Sequence, residues 1–362
     1  MSGTKLERTL LARINRLVDD LCRRRRGITL MEVCGTHTMA ISGFGIRRAV
    51  DPRLRLLSGP GCPVCVTSQE EIDAAVALAR IANLTVLTFG DMMRVPGSQG
   101  SLEKAKAQGA DVRVVYSALD GLRLAQANPS REFVFLGVGF ETTAPTVAAT
   151  VIEAKRQRVK NFSVWPMFKL IPPALEVIAS SPKVDVDGFI LPGHVSTVIG
   201  SSPYRFLSEQ FRKPACIAGF EALDILQAIV MLLEQLATGP KLEIQYRRSV
   251  RPEGNRRAQQ LLAQVFKRCD ATWRGLGKIP ESGLSFRDPF QEFDARFRFP
   301  FLRRPASARR RRTFCRCGEV MLGAIVPPEC RLFARTCTPE SPIGPCMVSS
   351  EGACAAYYRY DR

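Results

Sequence analysis

Cys62-Pro63-Val64-Cys65 is a CxxC placed where a short apolar run gives way to a helix-like stretch. Thiols beside a helix amino end feel the positive end of its dipole, which favours thiolate as nucleophile, redox group or metal ligand. Cys34-Gly35-Thr36-His37 carries metal-ligand spacing of its own. With Cys62 and Cys65 it could complete a closed Cys₃His zinc site, or hold iron with positions left open for other ligands. The chain has only two histidines, His37 and His194, and both sit in strand-end loops. For each, the plain alternative is a satisfied structural histidine.

A second group of cysteines, Cys315, Cys317, Cys330, Cys337, Cys346 and Cys354, crowds the last 48 residues among Gly and Pro turn signals. So loop-rich a tail has little apolar material for its own core, so disulfides or a metal centre must tie it together. The amino end has leucines at helical spacing with charges throughout and lacks a signal peptide's apolar stretch. No window reaches about 18 uncharged apolar residues, which argues against a membrane span. These features read as cytoplasmic, where clustered cysteines are more often metal ligands or redox thiols than structural bridges. Cys22, Cys216 and Cys269 fall in or near regular structure and read as bystanders.

Something must position these loops. Apolar runs at 28–33, 54–57, 84–89, 112–116, 133–138, 162–165 and 188–191 read as strands. Several lack period-2 alternation, as strands buried on both faces do. Helical patterns at 70–81, 101–108, 118–127, 145–156, 173–179 and 221–236 fall between them. Ser68 and Glu71 form a capping-box pattern, so a helix is expected to begin at Cys65 or just after it. The alternation predicts α/β architecture: two doubly wound parallel-sheet domains plus a smaller C-terminal domain. The expected limits are 1–145, 146–245 and 246–362. In open α/β sheets function gathers in loops at strand carboxyl ends. MEVCGTHTM, SGPGCPVCVTS, FGDMMRVPGS, GVGFETTAP and LPGHVSTVIG all follow strands and should converge on one cleft.

Composition narrows the classes. The 362 residues are 46% hydrophobic, enough for two or three packed domains and too apolar for a disordered chain. The net charge of +18 raises the question of nucleic acid. Six arginines of the excess lie in one stretch, 303–312, without aromatic interleaving, which reads as a solvated linker. Nucleotide signals are weak: Gly137-Val138-Gly139 lacks the third glycine of a dinucleotide fingerprint, and there is no Walker A loop.

MEVCGTHTMAISGFGIR, LLSGPGCPVCVT, TFGDMMRVPGS, GFETTAPT, LPGHVSTVIG, GFEALDILQAI, RPEGNRRAQ and CTPESPIGPCMVSSEGACAAYYRY together resemble, in order and over nearly the whole chain, the HypD family of hydrogenase maturation proteins. The resemblance implies a scaffold on which the Fe(CN)₂CO group of nickel–iron hydrogenase is built. It implies a small HypC-type chaperone and a HypE-type cyanide donor as partners, and a third domain with a 4Fe–4S cluster. By position, Cys34 resembles the ligand of a transient iron that carries cyanide and carbon monoxide. Cys62 and Cys65 match the redox CxxC, with His37 beside the iron site. Cys315, Cys330, Cys337 and Cys354 match the cluster ligands, and Cys317 and Cys346 an additional thiol pair. Spacing alone does not select these four of six, because the tail follows no ferredoxin-type run.

Two other readings compete. In an iron–sulfur-linked disulfide oxidoreductase the cluster feeds the CxxC, and turnover needs no partner. In a zinc-stabilised binding protein Cys34, His37, Cys62 and Cys65 are structural.

Overall fold

Leu84–Thr88 and Gly188–Pro192 are buried at every position, the pattern of strands covered on both faces. In the computed structural model, which describes residues 4–182, 184–303 and 314–361, they belong to two separate parallel sheets. The basic segment 304–312 lies outside the described residues. The strands in chain order are β1 (Ile28–Glu32), β2 (Leu54–Ser58), β3 (Leu84–Thr88), β4 (Asp111–Val114), β5 (Glu132–Gly137), β6 (Phe162–Pro166), β7 (Gly188–Pro192), β8 (Ala215–Ala218), β9 (Leu242–Ile244), β10 (Phe266–Trp273) and β11 (Gly277–Phe286). One sheet has the order β2-β1-β7-β8-β9, the other β4-β3-β5-β6, and β10-β11 is an antiparallel hairpin.

All seven expected strands are present. The expected cut between residues 145 and 146 is not where the sheets divide. β5 and β6 flank it and pair in register from Phe133↔Phe162 to Gly137↔Pro166. The first sheet takes β1 and β2 from one stretch of chain and β7 to β9 from another. The second sheet is therefore inserted into the first unit, between β2 and β7. A linear reading of alternating strands and helices carries no signal of which strands pair.

Helices cover both sheets. Lys5–Cys22, capped by the Thr4/Glu7 box, and Ala222–Thr238 pack Ile14, Val18, Ile225 and Ile229 against β1, β2 and β8. Helix Ala144–Arg156 covers the second sheet through Val147 and Val151, together with Phe266, Phe286 and Phe293 of the third region. The hairpin was not expected from the sequence. Pro280 and Gly283 argue against a central strand, yet both are tolerated in a two-stranded ribbon, which here carries an irregularity between Cys269 and Ala271. Its turn reaches the CxxC segment, where Trp273 bridges to Thr67 and the backbone N–H of Arg274 donates to the Val66 carbonyl at 2.8 Å. The C-terminal helix Ala353–Tyr360 packs on helix Gly35–Gly43, and Asp361 there accepts from Ser42 and pairs with Arg47. No described helix is long and apolar enough to cross a membrane.

Candidate functional site

Cys34 follows the end of β1 and is the N-cap of helix Gly35–Gly43. Its thiol accepts from the backbone N–H groups of His37 and Thr36, an arrangement that by itself acidifies a thiol. Burial wins. Cys34 is 8% exposed, and loss of solvent pushes it up to about 12. Glu32, fully buried beneath it, accepts the Cys34 backbone N–H at 2.9 Å and the Thr38 hydroxyl. Burial raises Glu32 to about 7.

The Gly-Pro-Gly segment after β2 lies directly on this turn. Gly35 N–H donates to Gly61 O at 2.8 Å, and a Cβ on Gly61 would fall on the backbone N, Cα and C of Cys34. Only glycine permits this approach, and the residue after it is Cys62. Cys62 caps the single turn Pro63–Val66, its sulfur accepting the Cys65 N–H at 3.1 Å. The two cysteines form a disulfide, with Cα atoms 5.2 Å apart. Ser68 and Glu71 form the expected capping box, but the helix they cap, Gln69–Leu78, begins after the CxxC turn rather than at Cys65.

The CxxC turn in turn meets the tail. Cys65 Sγ lies 3.8 Å from the carbonyl of Pro345, the neighbour of Cys346. Cys315, Cys317, Cys330, Cys337, Cys346 and Cys354 line one cavity, closed by Val320, Leu332, Phe333, Gly344 and Met347. Cys315 donates to Cys317 and Cys317 to Cys346, and this sharing together with burial holds Cys315 well above the usual thiol range. Cys337 and Cys354 are raised first by burial. Backbone N–H groups of Ile343 and Gly344 point at Cys337, which favours its thiolate. Thiolates crowded into so apolar a cavity repel one another and call for a soft cationic partner. Among the described residues no three His, Cys, Asp or Glu side chains close around a single point. The donors ring a space, as the thiolates of a multi-iron cluster do, and the residues fit a 4Fe–4S group.

Comparisons with known proteins cover nearly the whole chain. The family model described as "HypD: Hydrogenase formation hypA family" matches residues 5–361. The chain belongs to the HypD family. The HypD hydrogenase maturation factor of Cupriavidus necator is 48% identical over 341 residues, covering 92% of this chain and 89% of that one. That of Escherichia coli K12 is 47% identical over 344 residues, covering 92% and 90%. HypD2 of Bradyrhizobium diazoefficiens is 46% identical over 352 residues, covering 93% and 90%. Membership places the chain among hydrogenase maturation factors.

In this HypD-family chain the first loop meets the second at Gly35 and Gly61 and approaches the fifth through Phe220. His37 is fully buried, and its Nε2–H donates to the Gly219 carbonyl at 2.9 Å. Nδ1 is then the unprotonated nitrogen, buried with no partner among the described residues. Burial lowers His37 to about 4, so the ring is neutral at pH 7. Phe220 lies between the two histidines, 4.9 Å from His37 and stacked 3.9 Å from His194. Cys34, His37, Cys62 and Cys65 therefore do not converge as four zinc ligands, because the histidine faces Gly219 and two of the thiols are bonded to each other.

Three acidic residues that sequence reasoning did not single out also reach this region. Glu351 of the tail accepts from the Thr36 hydroxyl at 3.0 Å, and Asp91 of the third loop accepts from Ser349 at 2.6 Å. Glu141, in GFETTAP, is 3% exposed and bonded to the Ile171 N–H at 2.9 Å. All three lie inside the quoted motifs, which was the available signal. Gly137 and Gly139 serve packing, since a Cβ would strike Phe168 or Thr143.

Proposed function

We propose that this chain is the scaffold on which the Fe(CN)₂CO group of nickel–iron hydrogenase is assembled in the cytoplasm. One observation carries the reading: Cys34, the Cys62–Cys65 pair and the six-cysteine cavity form an unbroken series through Gly61 and Pro345. Iron, the cargo, binds the Cys34 thiolate. Because burial holds that thiol protonated, metal binding and proton release occur together. A small HypC-type chaperone supplies a further ligand, and a HypE-type protein brings cyanide as a thiocyanate.

Release of cyanide from a thiocyanate takes two electrons, which a Cys62/Cys65 dithiol supplies. One thiolate attacks the thiocyanate sulfur and expels cyanide, and the second cysteine opens the mixed disulfide. The pair ends oxidised, as found here, and the donor ends as a thiol. The Cys317/Cys346 pair returns the electrons by thiol–disulfide exchange. A 4Fe–4S group held by Cys315, Cys330, Cys337 and Cys354 supplies one-electron reducing equivalents when bound. His37, neutral and tied to Gly219, orients the helix that carries Cys34.

Burial speaks against a general protein disulfide oxidoreductase. Cys62 is 4% and Cys65 1% exposed, so a disulfide set in a folded protein surface is poorly placed to reach either sulfur, whereas a thiocyanate on an extended chain end is slender enough to need far less space. The test is anaerobic co-expression with the HypC-type partner, followed by iron and acid-labile sulfide analysis and infrared spectroscopy. Cyanide and carbonyl stretching bands that vanish in Cys34→Ala, with cluster iron retained, are expected. Stoichiometric zinc without sulfide or bands would overturn the reading.

A further inference from the structure

Arg274 occupies the turn of the β10–β11 hairpin and grips the chain just after Cys65. Its backbone N–H donates to Val66 O at 2.8 Å, Nε to Thr67 O at 2.9 Å and Nη1 to Gln69 Oε1 at 3.1 Å. Nη2 is buried and has no hydrogen-bond partner among the described residues. A buried guanidinium N–H left unpaired is destabilising, so its presence calls for a use. The next residue, Gly275, has φ +84° and packs backbone to backbone on Gly318, the neighbour of Cys317. A Cβ on either glycine would strike the other. The hairpin turn is thus wedged between the two cysteine pairs.

We propose that Arg274 is a positioning residue for thiol–disulfide exchange between the Cys317/Cys346 pair and the Cys62–Cys65 disulfide. It clamps the CxxC turn and holds its free Nη2 ready for the sulfur that becomes negative when the S–S bond opens. The inference rests on the relay described above. In the step, a thiolate of the tail pair attacks Cys65 Sγ, the Cys62–Cys65 bond breaks, and Cys62 leaves as a thiolate. The second tail thiol then resolves the mixed disulfide. Two electrons pass from Cys317/Cys346, which ends as a disulfide, to Cys62/Cys65. The two protons lost by the tail thiols end on the new dithiol. A charged donor stabilises the leaving thiolate more than a neutral one does.

The experiment uses the anaerobically purified full chain with its cluster, stepped to a more reducing glutathione buffer. Acid quenching, alkylation and peptide mass spectrometry then follow both pairs in time. Arg274→Gln is expected to slow appearance of the Cys62/Cys65 dithiol about tenfold, with Arg274→Lys restoring most of the rate. Gln69→Ala loosens the clamp while keeping the charge, and covers the case in which Arg274→Gln fails to fold; a slowing of about threefold is expected. A wild-type rate in Arg274→Gln, or in Gln69→Ala where the former does not fold, overturns the proposal. So does a lysine variant as slow as the glutamine one, which would mean shape alone matters. Wild-type protein in which Cys62–Cys65 never reduces at the expense of Cys317/Cys346 would sink the relay itself, and Arg274's role with it.

Discussion

Gly61 lies flat on the backbone of Cys34, and no side chain fits between them. Two strand-end loops, one bearing the proposed iron thiol and the other the CxxC, are joined at that point. Gly61→Ala should push the loops apart and cost about 1–3 kcal/mol of stability, as overpacking does. Urea denaturation reads the cost. Faster alkylation of Cys34 in the native state reads the displacement. A variant matching the wild type in both would show that the loops adjust freely.

Glu141 gives a pH signature. Burial raises its carboxyl to about 7, so between its usual 4.5 and that value the folded chain binds more protons than the unfolded one. Stability must therefore fall as pH rises through this window. With Oε2 lacking a partner among the described residues, Glu141→Gln removes the cost of the charge. The difference in unfolding free energy between wild type and variant should move in favour of the variant by up to about 3 kcal/mol from pH 4.5 to 8. A difference that stays flat with pH would place Glu141 in contact with water.

The two histidines can be observed without interference from any other. Nitrogen-15 labelling of histidine should show His37 as the neutral Nε2–H tautomer from pH 8 down to pH 5, because burial lowers it to about 4. Its contribution to stability is lost only as pH falls below its usual 6.5 towards that value. His194, exposed to solvent, is also lowered by the burial it does have. Its signals should titrate first as the solution is acidified. A His37 signal that titrates near neutrality contradicts the bond to Gly219.

Gly344 lines the six-cysteine cavity, and a Cβ there would press on Cys315 Sγ. Gly344→Ala should lower acid-labile sulfide and cluster iron several-fold while leaving the circular dichroism of the two sheets unchanged. Full iron and sulfide in that variant would mean that the cluster sits elsewhere. Replacement of Cys330 or Cys354 should abolish both, whereas replacement of Cys317 or Cys346 should leave them in place.

Local chemistry was legible from the chain alone. Unbroken apolar runs such as Leu84–Thr88 announce buried parallel strands, and Ser68 with Glu71 announces a helix start, because these signals act over a few residues. The motifs identified the chemical groups, from Cys34 to Cys354, and the family. The β10–β11 ribbon escaped, since Pro280 and Gly283 are acceptable only where a strand has a free edge.

What the sequence by itself determined is the inventory of strands, the reactive side chains and the family they belong to. What only the tertiary structure decided is pairing and environment. β5 pairs with β6 across the expected boundary, and β1 with β7 across about 150 residues of chain, because sheet order follows burial of whole faces rather than proximity in sequence. Cys34 stands at a helix amino end, where backbone N–H groups favour a thiolate, yet packing removes the water a thiolate needs and raises it instead. The same packing carries Arg274 from a distant hairpin to the junction of two cysteine pairs, a placement that no local pattern encodes.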